Sequence, residues 1–271
     1  KLRRDKVLVF STGGFVALPV MIAARLLNIP AFLHEQTSRA GLANRLSAIF
    51  AERIFISFHS SRRFYPAAKT LYSGYPLRAD FLTHEKTELL VGGKKVEVGG
   101  RPLIFATGGG NGSRLLNEWV ARASTDPAFD HHFWIHQTGP EWTAPESLKQ
   151  KPNYLSTAFV GPELPNLMKW ASFVVCRGGA GTLCELRALH KPALVVPLKI
   201  AQQNEQWHNA LEIQKSIPVK IVPEDEVANL SLPEMLSALE KEAHPFSQPK
   251  ETQVQRAEGI IWKVILERID S

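Results

Sequence analysis

The chain has 271 residues, a length typical of about two domains. Its formal net charge is +6, from 32 Lys and Arg against 26 Asp and Glu, and 44% of its residues are hydrophobic, which excludes a disordered chain. Two cysteines, Cys176 and Cys184, are too few for a disulfide framework or a cysteine-rich zinc site, and they indicate a reducing compartment. No apolar run reaches the roughly 18 residues of a transmembrane helix, so none is expected.

Short apolar runs alternate with helical stretches along the chain. The pattern predicts helices at 16–27, 113–122 and 182–189, an amphipathic segment at 251–269, and strands, in chain order, at 7–10, 29–33, 103–106, 133–135, 173–176, 193–196 and 219–222. Continuous Val, Ile and Leu runs separated by helices are typical of a parallel sheet covered on both faces. The sequence therefore predicts an α/β fold.

Changes in composition indicate where the chain divides. Residues 83–100 are polar and rich in glycine, as in a linker or an exposed hairpin, and Pro245 and Pro249 interrupt two helical patterns. We therefore expect four parts, at 1–82, 83–100, 101–245 and 246–271. The chain starts at Lys1 with neither Met nor a signal peptide, and we expect it to begin inside a longer protein.

Three glycine-rich loops, at 11–14, 107–112 and 177–181, follow predicted strands and open helices. Free N–H groups and a partial positive charge at a helix N-terminus suit a diphosphate. Each loop alone is equally a tight turn, but three in one chain favour a nucleotide-type ligand. The strand after the second loop ends in His136 and Gln137, without the acidic residue of a dinucleotide site, and no Walker A ending occurs, so NAD-dependent and NTPase functions are disfavoured.

Several side chains near these loops have two interpretations. Thr182 and Glu185 are spaced as a capping box, or Glu185 accepts the two hydroxyls of a ribose. Arg78 is a solvated surface residue or a diphosphate clamp. Gln206 and Asn209 share one helix face, where their amides read sugar hydroxyls or face water.

One histidine and the first predicted helix also have two interpretations each. His34, at a strand end, is a packed residue or a catalytic one. The apolar stretch of the first helix, at 15–22 with Arg25, is core or a bilayer-contacting face. No group of His, Cys and Asp has the spacing of a metal site.

In order and spacing, the motifs resemble the MurG family over residues 7–215. These peripheral glycosyltransferases move N-acetylglucosamine from UDP to lipid-linked muramyl pentapeptide in peptidoglycan synthesis. The resemblance lies in seven stretches: 13–16, 29–36, 40–44, 74–78, 108–112, 176–185 and 206–210.

The resemblance implies a GT-B fold, with two doubly wound Rossmann-like domains facing a cleft, the first incomplete. Residues 1–82 would be the remainder of the acceptor and membrane-side domain, and residues 101–245 the UDP-sugar domain. Residues 246–271 would return as a helix to the first domain. The implied reaction is an inverting transfer that uses neither a metal nor another cofactor.

The resemblance also assigns site residues. Glu185 would hold the ribose, Arg78 the diphosphate, and Glu205 with Gln206 the sugar hydroxyls, while Thr37 would make a further sugar contact. Uracil and diphosphate would be surrounded by Gly110, Asn111, Val160, Ala180, Gly181, Thr182, Leu183 and Cys184. The catalytic base is unassigned, with His34 as a substitute candidate.

The sequence departs from the family pattern in three places. The histidine-containing loop of the family's first strand–helix turn is absent, Thr37 stands where Asn is usual, and Gly110 replaces a Ser. These departures favour one alternative, a UDP-sugar-binding module or fragment that needs a missing segment or partner for activity. Another GT-B enzyme, such as a lipid hexosyltransferase or a UDP-sugar epimerase, is a second.

The implied partners are UDP-N-acetylglucosamine, undecaprenyl-linked muramyl pentapeptide and an anionic membrane surface at the cytoplasmic face of the bacterial inner membrane. Nucleic acid is not expected, since the basic residues are not interleaved with a stacking platform.

Overall fold

The structure, a computed structural model, describes residues 7–83, 87–236 and 256–269. They form two compact units, one of residues 7–77 and 256–269, the other of residues 78–83 and 87–236. The division thus falls after Leu77, whereas the change in composition begins at residue 83. Pro245 and Pro249, expected to interrupt the helical pattern, lie outside the described residues.

The first unit contains one parallel sheet with the strand order β1-β2-β3-β4. Its strands are β1 (Val9–Ser11), β2 (Ala31–Glu35), β3 (Arg53–Ile56) and β4 (Thr70–Tyr72). Its helices are α1 (Ala17–Leu26), α2 (Leu42–Ser47), the C-terminal helix (Ala257–Ile269) and the 3₁₀ segments His59–Phe64 and Ala67–Lys69.

Side chains alternate between the two faces of this sheet, as the period of a β-strand requires. Leu33 and Ile54 pack in one cluster with Met21 of α1. Phe32 and Phe55 point to the other face and pack against the C-terminal helix. The sheet is therefore covered by helices on both sides, which explains why its strands read as continuous apolar runs.

The second unit contains a larger parallel sheet with the order β12-β11-β10-β7-β8-β9. Its strands are β7 (Leu103–Thr107), β8 (Phe133–Gln137), β9 (Tyr154–Thr157), β10 (Phe173–Cys176), β11 (Ala193–Val195) and β12 (Val219–Ile221). Its α-helices are α3 (Arg114–Ala123), α4 (Glu146–Lys149), α5 (Leu164–Trp170), α6 (Ala180–Leu189) and α7 (Glu205–Gln214). Its 3₁₀ segments are Ala79–Phe81, Pro127–Phe129, Gln202–Asn204 and Val227–Asn229, and residues 232–236 are helical as well.

A two-stranded antiparallel hairpin, β5 (Leu90–Val91) and β6 (Lys94–Lys95), precedes the large sheet. Gly92 and Gly93 form its two-residue turn, and both have positive φ, as a type I′ turn requires.

The α/β prediction is confirmed, because both sheets are parallel and helices alternate with strands. The predicted helix at 16–27 is α1, and the seven predicted strands correspond to β1, β2, β7, β8, β10, β11 and β12. The sequence analysis missed the strands β3, β4 and β9 and the helices α2, α4 and α5, each of seven residues or fewer. β3 begins with a charged residue, β4 and β9 are edge strands with polar residues, and α5 has only seven residues with Pro165 in its first turn.

Among the described residues, no helix has both the length and the apolarity needed to cross a bilayer. In the same ranges, His, Cys, Asp and Glu side chains nowhere gather in groups of three or more that could hold a metal ion.

Cys176 and Cys184 are free thiols, and burial raises the pKa of each to about 12, with Glu185 contributing to both shifts.

Replacing Ile265 by Ala tests the packing of the C-terminal helix on the first sheet. Ile265 is 2% exposed in the cluster of Phe32 and Phe55. We expect Ile265→Ala to lower the free energy of unfolding by about 2–5 kcal/mol, measured by urea unfolding, because a buried cavity is left. The neighbouring Leu266 is 40% exposed, so Leu266→Ala is the matched control and should cost less than about 1 kcal/mol. Equal losses in the two variants would contradict this packing.

Candidate nucleotide-sugar site

The strand order of the second unit places three loops side by side. β7 is hydrogen-bonded to β10 on one side and to β8 on the other, and all three strands are parallel. The chain continues from β7 to β8 on one side and from β10 to β11 on the other, so the connections after β7 and β10 leave toward opposite edges of the sheet. The carboxyl ends of these two strands are therefore a topological switch point. Ligands of open α/β sheets bind in the crevice at such a point.

The glycine-rich loop after β7 depends on a close approach between two backbone segments. Gly112 has a φ of +77°, and a Cβ atom there would lie 2.0 Å from the carbonyl oxygen of Thr138. No other residue type fits, so the loop packs directly against the end of β8. Ser113 then caps α3, its hydroxyl accepting from the N–H of Leu116 at 3.4 Å. The N–H groups of this loop and of the first turn of α3 form the edge of the crevice.

The loop after β10 is held in place by α7. A Cβ atom on Gly178 would lie 2.4 Å from the carbonyl oxygen of Gln206. The Oε1 atom of Gln206 accepts hydrogen bonds from the N–H groups of Gly178 and Leu198, at 3.1 and 2.9 Å. Asn209 donates to the carbonyl of Gly178 at 3.2 Å. The side-chain oxygen of Gln206 thus anchors the loop, whereas its side-chain NH₂ group takes no part in this anchoring.

Arg177 ties the two loops together. Its guanidinium donates to the Ser113 hydroxyl at 2.6 Å and pairs with Glu224 at 2.7 Å. Both carboxylate and guanidinium are largely buried, which makes this pair stronger than a surface ion pair. The helix cap of α3 is therefore fixed relative to the end of β10.

The capping-box interpretation of Thr182 and Glu185 is wrong. Helix α6 begins at Ala180 with Gly179 as its N-cap and no side-chain cap, so Thr182 lies inside the first turn. Glu185 is therefore not reaching back to cap the helix.

Arg78 is positioned by a short segment packed on α5 and α6. It precedes the 3₁₀ segment Ala79–Phe81, and its guanidinium lies 5.5 Å from the centre of the Phe81 ring. Lys169 of α5 donates to the carbonyls of Asp80 and Thr83, which fixes the segment from the far side. The guanidinium is thereby directed to the crevice.

These elements enclose a cavity of about 440 Å³, which lies within the usual size range of small-molecule sites. It is lined by Arg78, Phe105, Thr107, Gly109, Gly110, Gln137, Phe159, Val160, Gly161, Leu164, Met168, Gly181, Thr182 and Glu185. All of these residues belong to the second unit.

Two opposite charges face this cavity. Burial raises the pKa of the Glu185 carboxyl, and the positive charge of Arg78 lowers it in part. A carboxylate that is held in an apolar wall is a strong acceptor for hydroxyl groups, and a guanidinium beside it suits an anion. The cavity therefore offers an anion-binding side and a hydroxyl-binding side.

The structure brings together six of the residues singled out from the sequence: Arg78, Gly110, Val160, Gly181, Thr182 and Glu185. Asn111 and Ala180 belong to the two loops. Leu183 and Cys184 are buried behind the cavity wall, so their side chains do not line it. Glu205 and Gln206 start α7, behind the loop after β10.

His34 and Thr37 belong to the first unit. His34 is 1% exposed, and its Nε2 atom lies 3.0 Å from the Ser57 hydroxyl and 3.3 Å from the carbonyl of Gly74. Burial lowers the pKa of its imidazole to about 4. The Thr37 hydroxyl lies 2.8 Å from Glu35 Oε1 and 2.6 Å from the carbonyl of Arg39. Both side chains are thus engaged inside their own unit.

Sequence reasoning missed Gln137 and Phe159 as site residues. In the sequence, Gln137 stands out only as a non-acidic strand end, although a position at the carboxyl end of a parallel strand is itself a signal for a site residue. Phe159 is exposed in a loop directly before Val160, which the family resemblance assigns to the site, and this adjacency was the one usable signal.

Comparisons with known proteins agree with this architecture. The model of the glycosyltransferase family 28 C-terminal domain matches residues 103–264, and the model of the N-terminal domain of that family matches residues 2–56. A Clostridium botulinum protein named UDP-N-acetylglucosamine–N-acetylmuramyl-(pentapeptide) pyrophosphoryl-undecaprenol N-acetylglucosamine transferase is 34% identical over 88% of this chain and 67% of its own length. The chain belongs to the MurG group of glycosyltransferase family 28.

A further relative belongs to the same group, and solved structures share the fold. A Bacillus thuringiensis protein with the same transferase name is 32% identical over 86% of this chain and 64% of its own length. The structure of MurG from Acinetobacter baumannii matches 96% of this chain and 73% of its own, with a TM-score of 0.61 and 24% identity. A Methanocaldococcus jannaschii UDP-GlcNAc 2-epimerase shares the fold, with a TM-score of 0.61 at 10% identity over 96% of this chain and 75% of its own.

The raised pKa of Glu185 predicts that its charge opposes folding of this family 28 chain. A carboxyl whose pKa is higher in the folded state binds its proton more tightly there, so its contribution is favourable at low pH and is lost as the pH rises through the folded pKa. We therefore expect Glu185→Gln to raise the melting temperature of the unliganded protein at pH 8 and to have less effect at pH 5. Thermal unfolding checks this, with the exposed Glu146→Gln as control. A lower melting temperature for Glu185→Gln at pH 8 would contradict it.

Proposed function

We propose that this chain transfers N-acetylglucosamine from UDP-N-acetylglucosamine to undecaprenyl-linked muramyl pentapeptide, the lipid-linked acceptor of peptidoglycan synthesis. The observation that carries the proposal is the cavity in which the glycine-rich loop, Arg78 and Glu185 face one another. The substrates are those in the names of the two relatives, and the chemistry of the cavity suits the UDP part of the donor.

The donor would fit the cavity as follows. The diphosphate would lie against the N–H groups of the loop after β7, with Gly110 contributing backbone only, and against Arg78. Glu185 would accept the ribose hydroxyls. The base would lie beside Val160, where the exposed ring of Phe159 offers a stacking surface.

Most of the remaining predicted contacts are part of the same proposal. The residues Ala180, Gly181, Thr182, Leu183 and Cys184 would surround the base and diphosphate, the last two through backbone only, since their side chains are buried. Glu205 and the NH₂ group of Gln206 would meet the sugar hydroxyls. Asn111 would contribute to the phosphate loop. The sugar contact that the resemblance implies for Thr37 is left out of this proposal, because the Thr37 hydroxyl is engaged by Glu35 and the carbonyl of Arg39 within the first unit.

The reaction would be an inverting displacement. An acceptor hydroxyl attacks the anomeric carbon, the bond from this carbon to the β-phosphate oxygen breaks, and UDP leaves with the electron pair. Each backbone or Arg78 contact to the departing diphosphate would contribute about 2–4 kcal/mol, by analogy with oxyanion-hole donors. The acceptor proton must go to a base, and the buried, neutral His34 is poorly placed to take it directly.

The first unit has properties that suit an anionic membrane surface. Its described residues include ten Lys and Arg but only four Asp and Glu. At and before α1, Phe15, Val16 and Leu26 are exposed, whereas Met21 is buried in the core. Basic charge beside exposed apolar groups is typical of peripheral membrane binding. These features support our proposal that the protein binds peripherally to an anionic membrane surface, at the cytoplasmic face of the bacterial inner membrane.

A second candidate is a donor-binding module that needs a further segment or a partner chain for transfer. It is favoured by the fact that the chain spans 67% of the length of the Clostridium relative, while the cavity lies wholly within the second unit. An epimerase is a third, supported by the shared fold alone.

Calorimetric titration separates binding from transfer. We expect UDP-N-acetylglucosamine and UDP to bind and NAD not to bind. Arg78→Ala and Glu185→Gln should each weaken UDP-N-acetylglucosamine binding by about tenfold or more, since each removes a charge-assisted contact. Arg122→Ala, at an exposed position outside the cavity, is the control and should bind like the wild type.

A transfer assay with the lipid-linked acceptor in vesicles then completes the test. Sugar transfer supports the full proposal, and binding without transfer supports the module. Conversion of UDP-N-acetylglucosamine without any acceptor indicates an epimerase. Binding of NAD but not of UDP would overturn the assignment.

A further inference from the structure

Gln137 is the last residue of β8 and lies in the wall of the cavity, where its side-chain amide links several segments. The residue is 5% exposed, yet its amide meets three separate segments that line the cavity. Nε2 donates to the Thr107 hydroxyl at 3.1 Å and to the carbonyl of Gly109 at 2.9 Å. Oε1 accepts from the N–H of Val160 at 2.9 Å.

The backbone partners fix the orientation of this amide. The N–H of Val160 can only donate, so it must face Oε1, and the carbonyl of Gly109 can only accept, so it must face Nε2. The Thr107 hydroxyl also accepts from the N–H of Gly109 at 3.0 Å, which closes the network at the start of the glycine-rich loop. One side chain therefore joins the end of β7, the loop after β7 and the loop after β9.

We propose that Gln137 is a positioning residue for the nucleotide-sugar donor. It holds the glycine-rich loop, which would bind the diphosphate, and the Val160 segment, which would lie beside the base, at a fixed separation before the donor arrives. Donor binding then does not have to order these two segments, so no conformational entropy is lost for that purpose. This inference rests on the proposed function, because it takes the cavity to be the UDP-sugar site.

The chemistry of the position explains why an amide and not a carboxylate is required. An ionised carboxylate has no N–H group for the carbonyl of Gly109 or the Thr107 hydroxyl. It would place an acceptor against an acceptor and add negative charge to a cavity that should hold a diphosphate. Protonation would restore one donor and remove the charge.

The test measures UDP-N-acetylglucosamine binding by the whole chain at pH 8 and pH 6, for wild type and Gln137→Glu. This ligand is used because its diphosphate is substituted at both ends, so that its charge stays constant between pH 6 and pH 8. We expect Gln137→Glu to bind at least about tenfold more weakly than the wild type at pH 8, from the loss of buried hydrogen bonds. The ratio of the two dissociation constants should decrease at pH 6, where the introduced carboxyl begins to protonate.

Asn153→Asp is the matched control. Asn153 is also 5% exposed, and its amide likewise donates to backbone carbonyls, those of Asp130 and His132, but it does not line the cavity. This variant should lose thermal stability while binding the donor within about twofold of the wild type. If Gln137→Glu does not fold, Gln137→Met replaces it, with the same weakening expected at both pH values.

The outcomes separate this inference from the function on which it rests. Donor binding by Gln137→Glu equal to the wild type at pH 8 would overturn the positioning role. Equal weakening in Asn153→Asp would also overturn it, because the effect would then come from general destabilisation. Failure of the wild type itself to bind would instead contradict the proposed function.

Discussion

The placement of β7 between β10 and β8 is the constraint on which the site depends. Parallel pairing on both sides brings the loops after these strands to one edge of the sheet, whatever their sequences are. The loops after β7 and β8 approach closely because Gly112 has no side chain against Thr138, and the loop after β10 approaches α7 closely because Gly178 has none against Gln206. The cavity between them is thus a consequence of strand order together with two glycines.

The buried charge of Glu185 destabilises the empty protein, but it also provides an acceptor for a ligand. Glu185 is removed from water, which raises its pKa, and Arg78 offsets only part of that effect. A carboxylate kept in such a place is disfavoured in the empty protein but available to two hydroxyl groups of a ligand. The Arg78 guanidinium lies over the Phe81 ring, and Lys169 fixes the backbone that follows Arg78 by donating to the carbonyls of Asp80 and Thr83. The position of Arg78 therefore does not depend on a ligand. Both charges are therefore in place before any ligand binds.

Much of the fold and part of the site could be predicted from the sequence. Runs such as 103–106 and 173–176 are buried on both faces, so their apolar character is continuous and easy to detect. The residues alone leave two interpretations for Arg78 and for Glu185, and the resemblance to the MurG family is what assigns both to the donor site. The start of α6 was misjudged, because Thr182 and Glu185 have capping-box spacing although the helix begins earlier, at Ala180.

Other features depended on tertiary contacts that no local pattern encodes. The anchoring role of Gln206 requires Gly178 and Leu198 to be nearby, and these residues are brought together only by the packing of α7. Gln137 likewise gains its role from two neighbouring loops. Strand β9 and helix α5 were missed because a short edge strand and a short helix carry little periodic signal.

A structure of the chain determined with UDP bound tests the central claim most directly. The account predicts diphosphate oxygens within hydrogen-bonding distance of N–H groups between Gly109 and Ser113 and of the Arg78 guanidinium. It also predicts both ribose hydroxyls on the Glu185 carboxylate. UDP bound at another place, or bound in the cavity with its ribose away from Glu185, would contradict it.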